Sequence, residues 1–527
     1  MKTITHALDD FIYQLFPDVT EGDRQALQAA MEAYFGRAGK HPAFVFEEQS
    51  VILTLGGEFP ESDEEKYGLA TELFEKKDYE ACIQILKEMV EETPWEIEPY
   101  AMLCFVCSLT DKFDLCIEVA NDGLKWHPEN TSFLHIAGNA YAEGNKDFET
   151  ALNYYIKAHS LNPDDALPLR HIPAYLFQCN RHDEAYGYIE KLIEIDPDDH
   201  LGYQMKGLYY FFEKDYLSCF MNITEALRKA DVYRKSGQDP DRDPVDSDVL
   251  VKMAAKSAEN YSEGVDWDDF TDKIKDEMVS KLGVDIRFDL YEEENPEFMP
   301  GLERAAAHGR DYHLIRYMDS KFTSLYMMMS QLIHLEFSEA AVKDSVYRVF
   351  SLPLDKVFKY VGRFTKFFAK KARRSDLDQF EENLFSAVRL LQLTVTETAL
   401  FVIINETLYQ RYKTFRPFLF ITLKAKIDYL IYEFNKNDFS KNLPADMMSV
   451  LNMYHLVYVL HFKKLFGVDY LKDFRFKKHE LNRAIVWFDE ALGLFRKREP
   501  GEEFDLIEFW AEDVKLDRYL EIREVRG

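Results

Sequence analysis

Four prolines constrain this chain more than any other feature. Pro94, Pro128, Pro163 and Pro197 are separated by 34, 35 and 34 residues. A repeat of that length marks a stack of helical hairpins rather than one globular core. Asp78–Tyr79, Lys112–Phe113, Asp147–Phe148 and Asp215–Tyr216 fall in the same phase. Each pair reads as a turn followed by an aromatic residue that opens a second helix. Gly68, Gly138 and Gly207 sit near the middle of the first helices. Cys82, Cys116, Ala151, Ala185 and Cys219 are the small residues of the second helices, where two helices must cross closely.

Segments such as KDYEACIQILKEMVEETP, KDFETALNYYIKAHSLNP and KGLYYFFEKDYLSCFMNITEAL carry the pattern aromatic, small, aromatic or aliphatic, then proline or a polar stop. This pattern resembles the tetratricopeptide repeat (TPR) family. Five units begin near Asp63, Ile97, Thr131, Ala166 and His200, with one extra residue inside the third. Pro173 falls in the first helix of the fourth unit where a small residue belongs, so a kink or shifted start is expected there.

The resemblance implies a solenoid whose first helices line a groove for an extended peptide or a helix. In this register the groove residues are Tyr67, Thr71, Phe105, His135, Asn139, Arg170, Ala174, Gln204 and Phe211. Only Asn139 and Arg170 approximate the cationic and amide clamp that one subclass of the family places around a C-terminal carboxylate, so that specificity is not carried over. The groove could equally be filled by the chain's own segments.

The expected fold class is all-α or predominantly α: a TPR-like α-solenoid packed against or linked to a C-terminal helical domain. Residues 1–62 read as an N-terminal helical extension or cap, and 63–233 as the repeats. Residues 234–300 read as linker and connecting elements around the polar, proline-punctuated KSGQDPDRDPVDSD, and 301–527 as an aromatic-rich helical domain. VILT at 51–54 and IRFDL at 286–290 are short strand candidates that support no large sheet.

Composition narrows the functional classes. A formal charge of −30 repels phosphate backbones, which makes nucleic acid an unlikely general partner. Asp9 and Asp10 interrupt what a secretory leader would keep apolar, and Phe385 to Asn405 includes Arg389 and Glu397, so a buried helix is expected there rather than a membrane span. A cytoplasmic location is the expectation. The six cysteines lie in the helical part, as small buried residues do in a reducing compartment. Cys104 and Cys107 could exchange electrons or hold half a zinc site, but no second pair accompanies them and both fall on packing positions.

SQLIHLEFSEAA, residues 330–341, has the phase of the helix in HExxH zinc metallopeptidases, and about residues 326–350 resemble that family weakly. Such chemistry needs two histidines four apart on one metal and a glutamate to activate water. Ser330 and Gln331 occupy the first histidine and the glutamate positions, and only His334 matches. Glu336 and Glu339 are the further metal-ligand candidates, although they do not restore the base. His308 and His313, five apart, read as surface or structural residues. No metal and no cofactor is expected.

KVFKYVGRFTKFFAKKARR, Lys356 to Arg374, contains eight basic residues and no acidic one. Lys370, Lys371, Arg373 and Arg374 are its expected docking surface, for an acidic patch of this chain or of another copy, for another acidic protein, or for a membrane or nucleic acid. The combined reading is a non-enzymatic interaction scaffold or adaptor with a protein or peptide partner. The alternatives are a peptidase-like metalloenzyme or its inactive derivative, a pseudoenzyme, in the C-terminal domain, and a structural subunit of a larger assembly.

Overall fold

A computed structural model describes residues 1–236, 247–291, 301–318, 323–351, 353–364, 367, 370, 398–435 and 444–525. The chain divides into two compact units, Met1–Tyr209 and Tyr210–Gly527. The architecture is predominantly α-helical, with a TPR-like solenoid and a separate C-terminal helical region.

The hairpins follow from a repeated turn. Between the two helices of each unit one residue takes the left-handed conformation: Lys77, Asp111, Lys146, Asn180 and Lys214. The next residue's amide closes the first helix by reaching back five positions, as in Asp78 N–H to Leu73 O at 2.9 Å and Arg181 N–H to Leu176 O at 2.8 Å. Where the turn is followed by Asp78, Asp147 or Asp215, that carboxylate caps the new helix by accepting from Ala81, Thr150 or Ser218.

The third unit accommodates its extra residue as a π-helical turn over Tyr141–Asn145. Its closing bond consequently spans six residues, from Asp147 N–H to Tyr141 O. The first helices are α3 (Glu64–Glu75), α5 (Ile97–Leu109), α7 (Thr131–Ala140), α9 (Ala166–Gln178) and α11 (His200–Phe212). The second helices are α4 (Tyr79–Glu92), α6 (Phe113–Trp126), α8 (Phe148–Leu161), α10 (His182–Ile195) and α12 (Tyr216–Ser236). Pro173 lies inside α9, and the helix still runs from Ala166 to Gln178.

Close approach explains Gly138, where a Cβ would lie 2.7 Å from Tyr155. Gly68 is different: it is exposed with open space beside it, so helix crossing does not require a glycine there. Cys82, Cys116, Ala151, Ala185 and Cys219 are all buried, as are Cys104 and Cys107.

Residues 1–62 do not form a helical cap. They fold as β1 (Lys2–Ala7), α1 (Asp10–Leu15), α2 (Arg24–Arg37), β2 (Pro42–Phe46) and β3 (Ser50–Leu55), with β3 between two antiparallel neighbours. Alternation drives this: Val51, Leu53 and Leu55 are buried while Ser50, Ile52 and Thr54 are less so. The module shares one core with the repeats. Phe11 packs edge-on against Tyr154 at 4.9 Å, and Phe35 against Trp126 at 4.8 Å. Lys157 pairs with Asp9 at 2.5 Å, and Lys2 donates to the Trp95 carbonyl. These anchors lie on second helices and the turns after them.

In the second unit, residues 234–300 are more than a linker. Within them α13 (Ser247–Glu263) and α14 (Trp267–Leu282) bury apolar faces, and β4 (Asp285–Tyr291) pairs in parallel with β6 (Tyr312–Met318). Residues 237–246 and 292–300 lie outside the described residues.

The region from 301 is helical but not purely so. β5 (Gly301–Glu303) completes the three-stranded sheet, and β7 (Tyr347–Ser351) pairs with β8 (Glu521–Val525). Its helices are α15 (Thr323–Lys343), α16 (Leu354–Gly362), α17 (described over 398–411), α18 (Arg416–Asn435), α19 (Ala445–Phe466), α20 (Lys478–Lys497) and α21 (Glu502–Asp513). The aromatic content fills its core: Trp487 and Trp510 stack at 5.0 Å, with Tyr454 at 4.7 Å from Trp487.

Candidate functional site

Helical phase puts the groove candidates of the first unit on the first helices, but not in equivalent environments. On α5, Phe105 is 53% exposed and Leu109, one turn later, 51%. Phe105 lies 5.7 Å from Phe74 of α3. Tyr67 and Thr71 are half-buried on α3, and the Thr71 hydroxyl is occupied by the Tyr67 carbonyl at 3.0 Å. Phe105 and Leu109 thus form a contiguous exposed apolar pair on one face of α5.

Further along, the candidates are already engaged. His135 is buried and stacks on Tyr155 at 5.7 Å, and burial holds its imidazole below the ordinary pKa, so the neutral ring is favoured. Its Nε2 is shielded from solvent and makes no hydrogen bond. Asn139 accepts the Tyr155 hydroxyl proton through Oδ1 at 2.5 Å.

Arg170 donates to Asp199 at 2.5 Å and reaches Asp196 at 3.5 Å, which ties α9 to the turn before α11. Asn139 and Arg170 therefore do not form a carboxylate clamp. Ala174 and Gln204 are half-buried. Phe211 belongs to the second unit, where its ring meets Tyr216 at 5.8 Å.

The sequence reading missed the residues that organise this middle region. Tyr155 comes from a second helix yet touches His135, His171 at 4.7 Å and Tyr175 at 5.5 Å. Phe148 stacks on Tyr175 at 6.0 Å. Burial raises the Tyr155 and Tyr175 hydroxyls, the latter to about 12, so both stay neutral donors. The available signal was His171 and Tyr175, one helical turn apart and each next to a groove candidate.

The metal candidates are not brought together. His334 is half-buried, and its imidazole is pushed down to about 4 by desolvation and by the Arg304 charge. Glu336 pairs with Lys281 at 2.5 Å and Arg411 at 2.6 Å, and Glu339 with Arg304 at 2.7 Å. Among the described residues no group of three metal-ligating side chains forms a site. His313 is structural: its Nδ1 accepts from the Ala305 amide at 3.1 Å.

Of the basic docking residues, Lys370 is exposed, whereas Lys371, Arg373 and Arg374 lie outside the described residues. The start of that segment is bound within the second unit. Lys356 donates to the Leu520 carbonyl at 2.7 Å, and Tyr360 packs on Tyr519 at 5.0 Å.

The first unit is built on a TPR-like α-solenoid. No family model matches the chain, and no curated protein matches it in sequence. Similar solved structures include MamA, residues 41 to the end, from Desulfovibrio magneticus RS-1: 14% identity over 34% of this chain and 100% of that one, TM-score 0.31. A thermophilic TPR protein of Thermus thermophilus shows 16% identity over 36% of this chain and 97% of that one, TM-score 0.27. YrrB, described as a TPR protein with an unusual peptide-binding site, shows 13% identity over 33% and 91%, TM-score 0.25. No described helix is long and apolar enough to cross a membrane.

Proposed function

We propose that this protein is a non-catalytic adaptor that receives an apolar peptide or helical segment of another protein on the first-helix face of its repeats. The observation that carries this reading is the exposed pair Phe105 and Leu109, with Phe74 beside it. The N-terminal module is anchored on second helices and their turns, through Tyr154, Trp126 and Lys157, and leaves Phe105 and Leu109 exposed. Apolar side chains at i and i+4 on a partner helix, or alternate residues of an extended peptide, complement such a surface.

Farther along the face, half-buried Tyr175 offers an aromatic surface that loses little entropy on binding, held in place by the fully buried Tyr155 ring 5.5 Å away. Arg170 is committed to Asp199 and Asp196, so apolar complementarity rather than carboxylate capture sets selectivity. The ion pairs at Glu336 and Glu339 favour this reading over a peptidase-like one.

The test is selection of displayed peptides on the full-length chain, with the Phe105→Ala, Leu109→Ala double variant as the counter-target. The reading expects one apolar consensus that binds the wild type at least tenfold more tightly. Peptides that bind both proteins equally would refute it.

A further inference from the structure

The strongest unexplained feature outside the repeats is a cleft of about 740 Å³ in the second unit, between α15, α17 and the end of α20. In a chain of net charge −30, its lining carries Arg411, Arg496, Lys497 and Arg498 against Glu336 and Glu499. Half-buried Phe495 supplies apolar wall, with Phe337 and Ile403 buried behind the lining. The volume falls in the range of small-molecule sites.

The cations differ in what holds them. Arg411 is bound to Glu336 by two nitrogens, at 2.6 and 3.3 Å. Arg496 and Lys497 are exposed at the last turn of α20, where basic residues ordinarily offset the helix dipole. That accounts for those two and not for Arg498. The Arg498 guanidinium lies over the Phe337 ring at 3.5 Å, and its Nη1 is shielded from solvent without a hydrogen-bond partner. A buried N–H donor left unmade costs on the order of 1–3 kcal/mol, more when charged. Buried Glu503 acts on it electrostatically but makes no ion pair with it, and burial favours that carboxyl's protonated form. The stacking fixes the plane of a fork whose donors match a carboxylate or phosphoryl group.

We propose that this cleft binds a small organic polyanion, held through phosphoryl or carboxylate oxygens by Arg498, Arg496 and Lys497, with its carbon body against Phe495. This assignment is independent of the repeat-face reading.

The experiment is calorimetric titration of the full-length protein with inorganic pyrophosphate and, in a second arm, with citrate. Arg496→Gln, Lys497→Gln serves as an exposed double variant, and Arg498→Gln as a second, with circular dichroism to verify folding. Saturable binding of either probe, weakened at least tenfold in the double variant, supports the site. The tighter probe then tells a phosphate-bearing from a polycarboxylate ligand. Absence of saturable binding to both probes, or equal affinity in wild type and double variant, overturns it.

Discussion

Gly138 lies beneath Tyr155 so closely that a Cβ at Gly138 would stand 2.7 Å from the ring's Cε2. The same ring stacks on His135 and His171 and donates its hydroxyl to Asn139. The glycine therefore sets the depth at which this buried second-helix ring sits behind the first-helix face. Alanine is ordinarily the better helix former, so a loss on Gly138→Ala isolates the steric term. The expected loss is about 1–3 kcal/mol, as for other overpacked sites. Chemical denaturation followed by circular dichroism measures it; an unchanged or raised midpoint would mean that the ring moves aside freely.

Gly467→Ala should be worse. Gly467 has φ +77°, and its Cβ would lie 2.5 Å from the Arg228 backbone nitrogen. Backbone cannot swing away as a flexible side chain can, and the left-handed conformation adds roughly 1–2 kcal/mol for a non-glycine residue. The predicted order of stability is wild type, then Gly138→Ala, then Gly467→Ala, read from unfolding midpoints under one set of conditions.

Acid should weaken the first unit through two histidines, buried His6 and half-buried His127. His6 and His127 sit within 3.0 and 3.1 Å of the Lys125 and Trp95 carbonyl oxygens, and both pKa values are pushed down from 6.5 to about 4, chiefly by desolvation. A depressed histidine means that the unfolded chain binds more protons. Stability is then whole above pH 6.5 and falls as the pH drops towards 4. Melting temperatures from about pH 7.5 to about 4.5 should show this decline, and His6→Gln should make it shallower. A flat profile in the wild type contradicts the assignment.

Zinc and chelators should leave the melting temperature unchanged. A zinc ion bonds carboxylate oxygen at about 2.0–2.2 Å and imidazole nitrogen at about 2.0–2.1 Å. At Glu336 and Glu339 it would have to displace Lys281, Arg411 and Arg304. A zinc-dependent rise in melting temperature that disappears in His334→Ala would restore the metalloenzyme reading.

The helical stack was legible because repetition multiplies a weak signal. One proline or one Asp–Tyr pair says little, but recurrence at 34 or 35 residues reports a turn built in the same way each time. Even the extra residue of the third unit was visible as a change of spacing, although its form, a π-helical turn, was not. The N-terminal sheet was harder to read because its strands are five or six residues long and include polar positions such as His6, which is buried only in the fold. Site residues divided similarly. Phase identified Phe105 as a groove position, but its exposure, and the engagement of Arg170 and Asn139, depend on neighbours from other helices and turns. Arg496 to Arg498 are not singled out by the sequence, because Phe337, the ring under Arg498, is distant in the chain.

The central claim, that the first-helix face receives a peptide, is tested most directly by site-specific photocrosslinking. A photoreactive phenylalanine analogue placed at Phe105 or Leu109 should capture a selected peptide. The same analogue at Val45, which is 57% exposed on the N-terminal module, should not. Capture from Val45 alone, or equally from all three positions, would contradict the account.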